Sequence, residues 1–160
     1  MSDTMASLRI STARRVFGLL TLGLLAVLLL YVATISPPAA LGWRVFLLGL
    51  GLSVLVLTEA MRRATARGLI LTREGLFDTE GQRLAAMDDV TGLSRGLFAM
   101  KPSNGFTLYL TRPGRAAWAP GVWWRLGRRL GVGGVTSAAE TRMMADMIAA
   151  MLAERDADRG

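Results

Sequence analysis

The sequence predicts a membrane α-helical hairpin joined to a small α+β domain, in which a curled antiparallel sheet is capped by a C-terminal amphipathic helix. Three observations predict it. Two long apolar stretches lie near the N-terminus, short strand-like runs punctuated by turn residues fill the middle, and an apolar stripe of helical period closes the chain.

Composition sets the frame. Of 160 residues, 52% are hydrophobic and 19% charged, whereas a soluble domain carries about 25% charged residues. The mean hydropathy is positive, and the length suits one modest domain plus a membrane anchor. Nineteen Lys+Arg against twelve Asp+Glu leave a net charge of +7, and Lys101 is the only lysine. An arginine excess serves nucleic acid or an anionic leaflet, and the positions of these arginines favour the membrane. Cysteine and histidine are both absent. That removes disulfides, thiolate nucleophiles, Cys/His zinc clusters and the commonest acid–base side chain. No catalytic residue, metal site or cofactor is expected, and the chain reads as a non-enzyme.

Residues 1–15 form a cytoplasmic N-terminal segment carrying Arg9, Arg14 and Arg15. The transmembrane hairpin occupies 16–61. From Val16 to Ile35 no charged residue occurs, and a spanning helix needs about 20 predominantly apolar residues. The second stretch, Leu41 to Met61, holds only Arg44 and Glu59, each close enough to an end to snorkel. Ser36-Pro37-Pro38-Ala39-Ala40 is the turn between them. Arg14 and Arg15 before the first span, with Arg62 and Arg63 after the second, set the orientation, since only Arg44 lies near the turn. The positive-inside rule then places both termini in the cytoplasm. Richness in Gly, Ala and Arg with almost no Lys suggests a high-GC bacterium, and hence its inner membrane. Tyr31 and Trp43 fall near the outer interface. Gly49 and Ser53, four apart, make a small-xxx-small pair suited to helix packing, either against the first span or against another protein.

A β-rich cytoplasmic domain is expected over 68–136. Leu69–Thr72 and Leu76–Asp78 read as strands joined through Arg73-Glu74-Gly75, and Thr79-Glu80-Gly81-Gln82 as the next turn. Arg83–Met87 and Val90–Ser94 follow, separated by Asp88-Asp89. A loop, Lys101–Gly105, leads into a strand at Phe106–Leu110, and Arg112-Pro113-Gly114-Arg115 reads as a tight turn. An amphipathic helix covers 137–154. Ser137 and Glu140 have capping-box spacing, and Met144, Met147, Ile148, Met151 and Leu152 line one face opposite Arg142, Asp146 and Ala149. Residues 155–160 are expected to fray.

A membrane hairpin, short strands and one terminal helix together resemble the bacterial two-transmembrane-helix proteins with a cytoplasmic pleckstrin-homology-like domain. The residues carrying the resemblance are Leu69-Ile70-Leu71-Thr72-Arg73-Glu74-Gly75-Leu76-Phe77 and the strand opening at Asp88-Asp89-Val90. The resemblance implies a small barrel plugged at one end by the helix, and a binding or scaffolding role. Phosphoinositide recognition, which in eukaryotic relatives needs clustered basic residues in the first strand–strand loop, is not implied, because that turn offers Arg73 beside Glu74.

The most distinctive segment runs from Trp118 to Gly134. Trp118, Trp123, Trp124, Arg125, Arg128 and Arg129 are the candidate membrane-interface or partner-binding residues. Indoles sit at headgroup level, arginines meet anionic phosphates at roughly 1 kcal/mol each, and both residue types dominate protein interfaces. The alternative is that the tryptophans are core and the arginines a solvated edge. Asp88 and Asp89 would point to opposite faces of a strand and make a poor catalytic dyad. The helix methionines Met143, Met144, Met147 and Met151 read as core or as an adaptable face. The glycines form no phosphate-cradling motif. The expected function is a non-catalytic module bound to an integral membrane protein complex as an accessory or assembly subunit. The alternative is a lipid-responsive, self-assembling scaffold on anionic headgroups. Homo-oligomers are compatible with either, and nucleic acid is not an expected partner.

Overall fold

The computed structural model describes residues 4–35, 39–95 and 105–159. The predicted turn residues Ser36, Pro37 and Pro38, and residues 101–104 of the predicted loop, lie outside them. The chain opens with a strand the sequence analysis did not assign, β1 (Thr4–Leu8), which buries Ala6 and Leu8 and exposes Ser7 between them. Two helices follow, α1 (Thr12–Thr34) and α2 (Leu41–Ala64). Next come β2 (Leu69–Thr72), β3 (Gly75–Asp78), β4 (Arg83–Ala86), a 3₁₀ turn at Met87–Asp89, and β5 (Val90–Ser94). The long strands β6 (Phe106–Ala119) and β7 (Trp123–Val132) lead to α3 (Ala138–Arg159).

Both hairpin helices are long and apolar enough to cross a membrane, and only 11% of the apolar window of each is buried. Their outer surfaces carry exposed Phe17, Leu20, Leu24, Val27, Val45, Phe46 and Val56. A soluble core helix would bury such side chains, so the hairpin has the surface that lipid requires. The two helices meet through small residues. Ala26 and Ala33 are fully buried, and a Cβ at Gly51 would come within 2.9 Å of Leu30. Helix α2 extends past Met61 to include Arg62 and Arg63 in its last turn, where cations complement the helix dipole.

The strands form two antiparallel sheets, in the orders β1-β2-β3-β4 and β5-β6-β7. Leu8 pairs with Leu69 across the β1–β2 ladder, so the chain leaves the sheet into α1 and returns from α2 at one point. The start of α1 and the end of α2 are therefore held at the same end of the hairpin. Among the described residues no ladder joins the two sheets, so the expected barrel is not closed. The segment from Arg9 to Ser11 bridges part of the gap. Ser11 N–H donates to Val135 O at 2.9 Å, Ser137 N–H donates to Arg9 O at 3.3 Å, and Ile10 forms a bridge with Thr136.

The core is one cluster shared by both sheets and α3. In β6, Phe106, Leu108 and Leu110 belong to the core cluster at the period of two that a strand imposes, Tyr109 points out, and Thr107 between them is buried as well. Leu69, Leu71, Leu76, Leu84, Leu130 and Val132 complete the sheet faces, and Met144, Ala145 and Ile148 bring in α3. Burying a side chain of this size contributes roughly 1.5–3 kcal/mol. Met147, Met151 and Leu152 pack partly buried against the cluster, whereas Met143, Arg142, Asp146 and Ala149 are exposed. The methionine stripe is thus mainly core.

Three local expectations are corrected. The capping box does not form as a reciprocal pair, because the Glu140 carboxylate accepts from Arg9 N–H at 2.6 Å and so binds β1's exit rather than Ser137. Residues 155–159 do not fray: α3 runs to Arg159, and Arg155 Nη1 donates to Val90 O at 2.9 Å and Met87 O at 3.3 Å, holding the last turns to the corner between the sheets. Arg112–Arg115 is not a hairpin turn but an irregularity inside β6, where the register with β7 jumps from Tyr109↔Arg129 to Gly114↔Gly127. Pro113 has no N–H to give a ladder, which suits it to such a bulge.

Candidate membrane-interface site

The Trp/Arg segment folds as the distal half of the β6–β7 hairpin. Its turn is Ala119-Pro120-Gly121-Val122, closed by Val122 N–H donating to Ala119 O at 3.0 Å, with Gly121 at φ +79°. Proline second and a positive-φ glycine third is the type II pattern. The turn is clamped from outside by Gly133 N–H to Val122 O and Val135 N–H to Gly121 O, both 2.9 Å. It lies beneath the helical hairpin. A Cβ at Gly121 would touch the Met61 methyl at 3.3 Å, and one at Gly18 of α1 would meet the same methyl at 2.8 Å. Met61 is thus the point where α1, α2 and the β6–β7 turn meet.

That placement separates the six candidate residues. Trp118 is 64% exposed and lines a cavity with Ala60, Arg63 and Arg67, level with the end of α2. Trp123 borders the same cavity but leans partly buried on the core. Trp124 is half-buried, its indole lying over Gly131, where any Cβ would collide with it. Arg125 is half-buried too. Its guanidinium fills the space above Gly114, and Nη1 donates to Leu84 O at 2.8 Å, tying β7 to β4 of the other sheet. Arg128 and Arg129 are exposed, and Arg129 stands 5.8 Å from the Tyr109 ring centroid, a cation–π distance. Trp118, Arg128 and Arg129 therefore face outward, while Trp123, Trp124 and Arg125 also brace the fold. Sequence reasoning missed Leu126, which is 61% exposed and shares a surface depression with Trp118. Its position directly between Arg125 and Gly127 was the available signal.

The orientation-setting arginines gather at one end. Arg14 Nη1 donates to Thr136 O at 3.1 Å. Arg62 grips the Glu59 carboxylate with Nε and Nη2, both at 2.7 Å, and Arg63 Nε adds a third bond of 2.7 Å. The one carboxylate in the hairpin is thereby paired with two guanidinium groups. Arg15 is half-buried in the first turn of α1. At the far end, Tyr31 and Trp43 are exposed, and Trp43 packs edge-to-face on Phe46 at 5.5 Å.

Gly49 and Ser53 do not take part in the α1–α2 contact. Both are exposed, nothing lies within 4 Å of a Cβ at Gly49, and Ser53 Oγ bonds back to Gly49 O at 2.7 Å. Gly51, on the opposite side, makes the close approach instead. Asp88 and Asp89 sit in the 3₁₀ turn at the sheet corner, and Asp89 pairs with Arg112 at 3.5 Å. Comparison of the chain with protein-family models, with curated proteins and with solved structures returns no significant match.

Proposed function

We propose that this chain is a non-catalytic, membrane-anchored interaction module of a bacterial inner membrane, serving a larger membrane-protein complex as an accessory or assembly subunit. The observation that carries the reading is the pairing of Trp118 with Leu126. These two large apolar side chains stand exposed together in one surface depression of the β6–β7 hairpin, and Trp118 also borders the separate cavity beside the end of α2. Exposed aromatic anchors flanked by arginine are the residues that dominate partner binding. The open Gly49–Ser53 face of α2 offers a helix from the same partner a close approach.

The orientation follows from charge. Arg14, Arg15, Arg62, Arg63 and Arg67 collect where the domain sits, and the turn end has Arg44, so the positive-inside rule puts the domain and both termini in the cytoplasm. The domain itself supports a pleckstrin-homology-like reading. It has four plus three meandering antiparallel strands and a C-terminal helix, with the membrane hairpin inserted between its first two strands.

The test is purification of the tagged full chain from its native membrane in mild detergent, with mass spectrometry of what co-migrates. A stoichiometric membrane-protein partner is expected, and Trp118→Ser/Leu126→Ser is expected to lose it. A lone species that is unchanged by the double substitution would sink the proposal. The lipid-responsive scaffold is the second reading, supported by exposed Arg128 and Arg129 on the same hairpin. It requires assembly that depends on anionic lipid and weakens with salt.

A further inference from the structure

Two cavities adjoin at the end of α2, and their linings differ in kind. One, of about 370 Å³, lies between α2 and the β6–β7 hairpin and is bordered by Arg63, Arg67, Gln82, Trp118 and Trp123. The other is a mainly apolar groove running back along α2 past Glu59, whose carboxylate is held by Arg62 and Arg63, and Thr58 to Val56 and Leu55. Ala60 and Arg63 line both. The result is a cationic, aromatic-walled chamber continuous with an apolar track that points toward the turn end of the hairpin. We infer that this is a binding site for one diacyl phospholipid, its phosphodiester held by Arg63 and Arg67 and an acyl chain lying along Leu55 and Val56. The inference rests on the reading that α1 and α2 span a bilayer.

The charges around the chamber fit this occupant. Arg63 engages Glu59 through Nε at 2.7 Å, and Arg67 engages Glu80 through Nε at 2.9 Å. In each arginine the two Nη groups remain as donors, the geometry that grips a phosphate oxygen pair. Both ion pairs are well exposed and so weakly held, which lets a phosphate compete with either carboxylate. Asp78 also borders the chamber, but it is 3% exposed and its Oδ1 accepts from Glu80 N–H at 2.9 Å and Gln82 N–H at 2.8 Å, so its charge is turned into its own loop. The chamber volume lies within the range of about 300–1,000 Å³ usual for ligand sites. Trp118 and Trp123 give it the amphipathic walls favoured at the depth of the glycerol backbone. A protein side chain would satisfy the cations or the groove, whereas a phospholipid joins phosphate to hydrocarbon and satisfies both.

The experiment uses the full chain in nonionic detergent, titrated with palmitoyl-oleoyl phosphatidylglycerol, the matching phosphatidylethanolamine, or the matching diacylglycerol, and read by native mass spectrometry. One molecule of either phospholipid is expected to stay on each chain, and diacylglycerol is expected to be retained roughly tenfold less. Arg63→Gln/Arg67→Gln, which removes the phosphate donors, and Val56→Trp, which fills the groove, are each expected to lower phospholipid retention by about tenfold. Arg73→Gln/Arg142→Gln removes the same charge at exposed positions that border neither cavity and is expected to leave retention unchanged. Equal retention of diacylglycerol, or phospholipid retention untouched by both site variants, overturns the site. Extraction of the protein from membranes by alkaline carbonate would instead remove the spanning reading on which the site depends.

Discussion

The Arg125 guanidinium donates from Nη1 to the Leu84 carbonyl at 2.8 Å, joining two strands that belong to different sheets. No backbone ladder performs this task among the described residues, so one side chain ties the β6–β7 hairpin to the edge of the first sheet. Arg125→Met keeps the aliphatic packing but strands the carbonyl, and is expected to destabilise the domain by about 1–3 kcal/mol. Arg125→Lys is not expected to rescue it, because an ammonium lacks the flat surface that fills the space above Gly114. Thermal unfolding of the full chain in detergent checks both.

The two glycines on α2 are expected to behave oppositely. Gly51→Ala places a methyl 2.9 Å from Leu30, and overpacking of this kind costs roughly 1–3 kcal/mol. Gly49→Ala meets nothing and is expected to be neutral or to stabilise by up to about 1 kcal/mol, the helix-propensity gain of alanine over glycine. Helix-pair stability in detergent separates them. If Gly49 faces a partner helix, Gly49→Leu should abolish co-purification while leaving the isolated chain stable.

Removing residues 155–160 deletes the Arg155 bonds to Met87 and Val90 carbonyls. Truncation after Glu154 is expected to destabilise by about 1–3 kcal/mol, with Arg155→Ala giving most of the same effect. Denaturant titration followed by tryptophan fluorescence is the measurement. A truncated chain as stable as the full one would restore the frayed-tail expectation.

Glu140→Gln weakens the acceptor for Arg9 N–H. The bond is exposed, so the change in global stability is expected to stay near 1 kcal/mol. The sharper readout is hydrogen exchange: the Arg9 and Ser11 amides should exchange faster, while the β6 amides stay protected.

Orientation is open to direct labelling, because the chain has no cysteine of its own. Ala39→Cys in one variant and Glu80→Cys in another place single thiols at the two ends of the hairpin. An impermeant maleimide added to intact spheroplasts is expected to label the first and spare the second. The reverse pattern would invert the assigned topology.

Much of this protein was determined by local sequence. An uncharged run such as Val16–Ile35 is apolar all round, Phe106–Leu110 has a strand's composition, and the Met144–Leu152 stripe carries its helical period. Each pattern reports on residues a few positions apart, where backbone geometry alone sets which side chains share a face. The same reading was blind to relations between distant positions. The strand at Thr4–Leu8 carries only one β-branched residue, Thr4, and no turn signal brackets it, so it gains its identity only by pairing with Leu69–Thr72 across the whole hairpin. Glu140 sits at capping distance from Ser137 in sequence, yet the fold brings Arg9 to its carboxylate. Arg155 belongs by composition to a charged tail, and only the corner at Met87–Val90 gives it acceptors that hold the helix together. The six Trp/Arg candidates were legible as a group, but which of them brace the hairpin and which face outward was decided by Gly114, Gly131 and the Leu84 carbonyl. Those neighbours arrive through strand register and sheet packing, which no local pattern encodes.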